Sequence, residues 1–331
     1  MVFDPNSASA PGSGIFGLPY KESDAALVYI PVPWEATVSY GLGTAQAPRA
    51  ILSASRQVDL FDFDVEKPYA AGLFLRPADP RIKALNARAC AAARKKSLKT
   101  ANDLGGELNA IVRHQTQGVL AAGKIPAIIG GDHSAPYGAF AAAAEAFGSL
   151  GVLHFDAHHD MRESYEGFRW SHASIMRNAL DGIPGISKLV QVGIRDFCEQ
   201  ERAYALSQKK RVAVFYDQQT ARRKFMGESW DIIAKDATAA LPKTVWVSFD
   251  IDGLDPALCP HTGTPVPGGL SFTEAEHILR RLVESGRTIA GFDLVEVSPS
   301  GRDEWDANVG ARLLYKLSAW ALASRGLAKI R

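Results

Sequence analysis

Short runs dominated by branched and aromatic apolar residues punctuate this chain, at 26–32, 125–129, 152–155, 189–194, 212–216, 245–249 and 288–294. A run of this length with little polar alternation is how a strand buried on both faces reads, and such strands belong to parallel sheets. The stretches between them carry apolar residues at helical spacing. Leu104, Leu108, Ile111, Val112 and Val119 fall on one face of a helix predicted over 101–122. Further helices are predicted near 48–57, 135–147, 172–180, 199–206, 230–235, 273–284 and 311–323. This alternation predicts an α/β fold, a mostly parallel sheet with helices on both faces. No linker or repeat divides the pattern, so residues 25–331 are predicted to form a single domain. Residues 1–24 are small, polar and Pro/Gly-containing, and are predicted to be a flexible arm.

Three of the apolar runs are closed by loops crowded with aspartate and histidine. These are Gly130-Gly131-Asp132-His133-Ser134, Asp156-Ala157-His158-His159-Asp160 and Asp250-Ile251-Asp252-Gly253-Leu254-Asp255. Ligands of open α/β sheets bind just outside the carboxyl ends of the strands, so the three loops are predicted to meet. Asp156, His158 and Asp160 are spaced to point one way from an extended backbone. Asp250 and Asp252 repeat that spacing, and His133 comes from a third strand end. Six oxygen and nitrogen donors without a thiolate suit octahedral ions such as manganese. Four crowded carboxylates would repel one another and take up protons unless cations neutralised them. Two divalent ions balance that charge, and such a pair can activate a water molecule at neutral pH.

A single Asp-His pair or Asp-x-Asp loop is a weak signal by itself. The weight comes from coincidence, since five of the eight histidines (His133, His154, His158, His159 and His172) fall between 133 and 172. His154 lies inside its strand and is expected to be a buried, hydrogen-bonded histidine. His159 alternates to the side opposite His158 and is expected to lie behind the ligands. Asp132 and Asp255 are expected to hold their loops through backbone amides, and His114 and His277 to play no part.

Composition narrows the function. The balance of 37 basic and 36 acidic residues argues against a nucleic-acid binder. No apolar stretch approaches the ~18 residues that would span a bilayer, so no membrane partner is expected. The three cysteines (Cys90, Cys198, Cys259) are too scattered for a disulfide framework or a zinc cluster. Without a signal sequence at its start, the chain reads as a reduced cytoplasmic protein.

The three loops, with Thr262-Gly263-Thr264-Pro265-Val266-Pro267-Gly268-Gly269-Leu270 and Asp293-Leu294-Val295-Glu296-Val297, resemble the ureohydrolase family of arginases and agmatinases. The resemblance runs from about Val28 to the last helix. Thr37-Val38-Ser39-Tyr40-Gly41 and Ala47-Pro48-Arg49-Ala50-Ile51 look closer to the agmatinases. It implies an arginase-like three-layer α/β/α fold and two divalent metal ions, manganese first and nickel as the alternative. His133, Asp156, Asp160 and Asp250 would hold one ion, and His158, Asp156, Asp250 and Asp252 the other. Activated water would attack a guanidinium carbon, giving urea and an amine. Glu296 matches the family glutamate that pairs with the guanidinium, and His172 the histidine that passes a proton to the leaving amine. Homo-oligomers, trimers or hexamers, are the family's habit, and the resemblance leaves a hetero-oligomer with a partner subunit open.

Departures from the family pattern bear on the substrate. Threonine is usual where His159 stands, and glycine where His261 stands. An added imidazole near the centre would favour nickel or another later transition ion. Residues 161–171, expected at the mouth, mix Arg162 and Arg169 with Glu163, Glu166, Phe168 and Trp170. The expected substrate is a small guanidino compound, agmatine first. Guanidinobutyrate, arginine, guanidine and alkylguanidines are the alternatives, with formiminoglutamate less favoured. Two readings of other kinds compete: a phosphohydrolase using Asp-x-Asp, and a non-catalytic subunit supporting an active partner. The first needs no histidine at 133 or 158 and lacks a phosphate cradle.

Overall fold

Each of the apolar runs becomes a strand because each can be covered on both faces. The computed structural model describes residues 3–10, 12–301 and 303–331. Its first half contains β1 (Leu27–Pro31), α1 (Ala47–Ser55), β2 (Val65–Glu66), β3 (Leu73–Leu75), α2 (Pro80–Arg94), α3 (Leu98–Ala121), β4 (Ile125–Ile129), α4 (Tyr137–Phe147) and β5 (Leu150–Phe155). Next come α5 (Ile175–Gly182), β6 (Ile186–Val192), α6 (Glu199–Ser207), β7 (Val212–Phe215), α7 (Asp217–Phe225), α8 (Trp230–Ala239) and β8 (Thr244–Asp250). The chain ends with α9 (Phe272–Glu284), β9 (Thr288–Val295), α10 (Trp305–Ser324) and β10 (Lys329–Ile330).

Eight strands form one sheet in the order β3-β1-β4-β9-β8-β5-β6-β7, and every pairing in it is parallel. Side chains alternate between two cores, as the two-residue period of a strand requires. Val245, Val247 and Phe249 face α1, α8, α9 and α10 on one side. Trp246 faces α2, α3, α4 and α5 on the other. The fold is therefore the α/β/α sandwich that the alternation predicts, with α2, α7 and the shortest strands added. β10 pairs antiparallel with β2 beyond the main sheet. No helix among the described residues is long and apolar enough to cross a membrane.

One expectation is corrected. Within the stretch predicted to be a flexible arm, Ile15, Phe16 and Leu18 are almost wholly buried in the main core. The Phe16 ring meets the edges of Tyr29 and Tyr315 at 6.3 and 5.1 Å, and its amide donates to Ser55 Oγ at 3.0 Å. Burying these three large side chains outweighs the loop-like composition around them.

The strand order matters most for function. β4, β9, β8 and β5 lie side by side, so the segments that leave their carboxyl ends open onto a single place. Those segments carry His133, Glu296, Asp250 with Asp252, and Asp156 with His158 and Asp160.

Candidate metal centre

His133 leaves β4 through two glycines, and at one of them the backbone is pressed against another segment. A side chain on Gly131 would place its Cβ 1.7 Å from the Trp34 carbonyl oxygen, which already accepts the Asp132 amide at 2.7 Å. Gly131→Ala is expected to destabilise the protein by about 3 kcal/mol through this overpacking, read as a lower thermal midpoint. An unchanged midpoint would show that the Trp34 segment yields freely.

The His133 ring is buried, and its neighbours fix its tautomer. Ser248 Oγ donates to Asp293 Oδ1 at 2.9 Å, so it accepts from His133 Nε2 at 3.0 Å. The neutral ring then presents a lone pair at Nδ1. Around that atom stand Asp156 Oδ2 and Asp160 Oδ2, both at 3.0 Å, and Asp250 Oδ2 at 3.2 Å. One nitrogen lone pair and three carboxylate oxygens gathered in so small a space call for protons or a metal cation among them. Burial opposes charge on His133, but those carboxylates outweigh it and push the ring well above its ordinary range.

A second group adjoins the first. His158 Nδ1 lies 3.4 Å from Asp156 Oδ1 and 3.1 Å from Asp252 Oδ2. Backbone amides orient these carboxylates. Asp250 Oδ1 accepts from the Asp252 amide and Asp252 Oδ1 from the Ala157 amide, both at 2.9 Å, leaving each Oδ2 to face the centre. Asp156 presents Oδ2 to the His133 group and Oδ1 to the His158 group, and so stands between them. Burial first, then the charge of Asp156, pushes Asp160 up to about 7. Burial, Asp252 and Asp156 push Asp250 well above the carboxylate range. This donor set fits divalent cations, which would replace the protons the carboxylates otherwise call for.

Glu296 follows β9 with φ at +59°, a left-handed conformation unusual outside glycine. Its amide donates to Gly131 O at 2.9 Å, its carbonyl accepts from Thr262 Oγ1 at 2.8 Å, and Oε1 accepts the His133 amide at 2.8 Å. These bonds lock the strained residue so that its carboxyl lines a cavity of about 290 Å³ beside the candidate ligands. His172 lines the same cavity. Thr37 Oγ1 donates to Asp132 Oδ2 at 3.2 Å and accepts the His172 amide at 3.2 Å. Thr37 Oγ1 and Ser171 Oγ also stand 3.4 and 3.5 Å from His172 Nδ1, holding the ring from that side. Burial first, then the neighbouring His158 and His133 rings, pushes His172 down to about 4.

The model of the arginase family matches residues 25–319. The chain belongs to the arginase family. Among relatives, it is 34% identical over 299 residues to the N(1)-aminopropylagmatine ureohydrolase of Thermus thermophilus, covering 90% of each chain. It is 29% identical over 307 residues to the guanidinobutyrase of Pseudomonas aeruginosa, covering 91% of this chain and 89% of that one. Among solved structures, the agmatine ureohydrolase of Thermoplasma volcanium matches with a TM-score of 0.72 at 24% identity, over 91% of this chain and 92% of that one. The proclavaminate amidino hydrolase of Streptomyces clavuligerus matches at 0.75 and 24%, over 96% and 100%. As an arginase-family member the chain is a metal-dependent ureohydrolase, cleaving C–N bonds of guanidino compounds.

Within this family frame, the six predicted ligands are all brought together, and Glu296 and His172 line the cavity beside them. His154 is fully buried and hydrogen-bonded, Asp255 ties the Ala257 amide at 2.8 Å, and His277 pairs with Asp231 away from the site. Asp132 does more than hold its loop, because Thr37 relays it to His172. What the motifs did not join up is a polar row one level below the ligands, of which only His154 was expected to be buried and hydrogen-bonded. Gln191, His154, Ser248 and Asp293 are register partners across β6, β5, β8 and β9, all of them buried. Their signal was a single polar residue inside each apolar run. Burial holds His154 and His159 below the ordinary histidine range, so both rings are neutral.

Proposed function

We propose that this enzyme hydrolyses a small guanidino compound with a cationic tail, agmatine being the first candidate, to urea and an amine. We assign His133, Asp156, Asp160 and Asp250 to one divalent ion and His158, Asp156, Asp250 and Asp252 to the other. When bound, such a pair supplies an activated water at neutral pH and offsets the carboxylate charge. Manganese suits the oxygen-rich donor set. The reason for favouring nickel weakens, because His159 turns its ring toward Gln191 and Tyr216 and away from the ligands.

The chain's own residues then do the following. Glu296 accepts N–H groups of the planar guanidinium and pairs with its charge. His172 is neutral at pH 7, takes a proton from the attacking water and passes it to the departing nitrogen as the tail's C–N bond breaks. A guanidinium and a water thereby become urea and an ammonium, with charge conserved.

The preference for a cationic tail is carried by Asp196. Its exposed carboxylate lines the cavity and has no hydrogen-bond or ion-pair partner among the described residues. The cavity's arginine, Arg162, is engaged, 3.7 Å from Glu201 and stacked 4.9 Å over the Tyr165 ring. A carboxylate tail, as in guanidinobutyrate, would meet a free acid and no free base. The aminopropylagmatine ureohydrolases among the relatives agree with an amine tail.

The test is urea release from agmatine, arginine, guanidinobutyrate, guanidine and an alkylguanidine after separate reconstitution with manganese, nickel and zinc. Agmatine should give the highest kcat/KM. Asp196→Asn should raise KM for agmatine about fivefold with kcat nearly unchanged, the size of a partly screened charge contact. Faster turnover of guanidinobutyrate, improved further by Asp196→Asn, would overturn the cationic-tail reading.

A further inference from the structure

Behind the ligands, buried side chains form a continuous hydrogen-bonded chain whose direction can be read from its chemistry. Gln191 fixes it. Its Nε2 lies 2.9 Å from the His159 carbonyl, so that atom is the amide nitrogen and Oε1 points the other way. Nε2 also lies 2.9 Å from His154 Nδ1, which must therefore accept. With Nδ1 accepting, the His154 ring carries its proton on Nε2, which donates to Asp156 Oδ2 at 2.8 Å. On the other side, Gln191 Oε1 accepts from His159 Nδ1 at 2.7 Å. His159 Nε2 then carries the lone pair and accepts from the Tyr216 hydroxyl at 3.2 Å. Every donor from Tyr216 inward points toward Asp156.

Each link removes a freedom from the next. Tyr216 occupies the lone pair of His159 Nε2, His159 Nδ1 and the His159 carbonyl together oppose an amide flip at Gln191, and Gln191 selects the His154 tautomer. Phe197 packs edge-on to His159 at 4.8 Å and lies 5.2 Å from the Tyr216 ring, closing the outer end. We propose that Tyr216, His159 and Gln191 are positioning residues that act through His154. They hold Asp156 Oδ2 in place so that one carboxylate serves both ligand groups, and the structure thus extends the metal site to the tip of β7. This rests on the metal-centre reading above.

The test measures metal affinity directly, by chelator competition with manganese on the full-length protein, without reference to turnover. His159→Thr removes the Nδ1 donor, and its affinity should fall about tenfold, in the range for residues that orient metal ligands. His159→Gln keeps one donor and one acceptor and should recover most of that loss. Tyr216→Phe, a mild change at a partly exposed site, should cost severalfold. Nitrogen NMR of the His154 ring should show the proton on Nε2 in the wild type and a mixture of tautomers in His159→Thr. Wild-type affinity in both His159→Thr and Tyr216→Phe, with an unmixed His154 tautomer, would overturn the proposal while leaving the metal centre intact. Failure of the wild type to bind manganese would instead overturn the metal-centre reading.

Discussion

Asp250→Asn is expected to lower kcat/KM for the preferred guanidino substrate by about 10³-fold, or about 4 kcal/mol of transition-state stabilisation, and to reduce bound metal below two ions per chain. Asparagine keeps the side chain's shape and an oxygen to accept the Asp252 amide, which Asp250 Oδ1 now does at 2.9 Å. It loses the charge on Oδ2, the atom 3.2 Å from His133 Nδ1. A second measurement separates a ligand from a merely structural acid. In chelator, burial, Asp252 and Asp156 hold the Asp250 carboxyl well above its usual range. The unfolded chain ionises this group from about pH 4 upward while the native state keeps its proton. Metal-free stability from this group therefore falls as pH rises above 4. Asparagine has no such penalty, so the metal-free variant should melt higher than the metal-free wild type at pH 7. With manganese the order should reverse. Two tightly bound ions and normal turnover in Asp250→Asn would remove Asp250 from the ligand set.

Glu296→Gln is expected to lower kcat/KM by a comparable factor, about 10³-fold, with metal content unchanged. Glutamine can still accept the His133 amide, so the loop should keep its shape. What it cannot do is pair a full charge with a guanidinium in a buried site, where leaving one partner of such a pair alone costs about 3–5 kcal/mol. Burial and the neighbouring Asp132 push the Glu296 carboxyl well above its ordinary range, and a cationic substrate supplies the counter-charge that restores the ionised form. Guanidine itself, with no tail to bind elsewhere, should suffer most. A variant that kept its activity would show that the guanidinium is held by other groups.

Much of this architecture was legible because its signals are local. A parallel strand buried on both faces has a distinctive apolar run, and the loops that follow carry the ligand types. Legibility failed where a signal is diluted or delocalised. α2 is rich in alanine and charge, so Ile82, Leu85 and Ala89 mark its buried face only faintly. α7 is polar nearly all round and buries Thr220 alone. Ile15 to Leu18 look like loop because their partners, Tyr29 and Tyr315, are distant in sequence. The polar row was hidden for a similar reason. His154, Gln191, Ser248 and Asp293 each look like a blemish in an apolar strand until strand order and register place them side by side. Tyr216 carries no motif, the Thr37–Gly41 stretch gives no sign of what Thr37 bonds, and only the folded chain brings the two to His159 and His172.

The order β4-β9-β8-β5 also sets when the site can exist. β4 and β5 flank the centre but are separated by β9 and β8, which the ribosome delivers much later. His133 and Glu296, joined by a hydrogen bond, are 163 residues apart. A nascent chain that has released β5 owns His133, Asp156, His158 and Asp160, yet between them lies a gap two strands wide. Metal therefore finds only four of its six ligands in the early sheet, Asp250 and Asp252 being still to come. It rewards only a molecule in which the last strands have threaded between the first, making occupancy a certificate of completed folding.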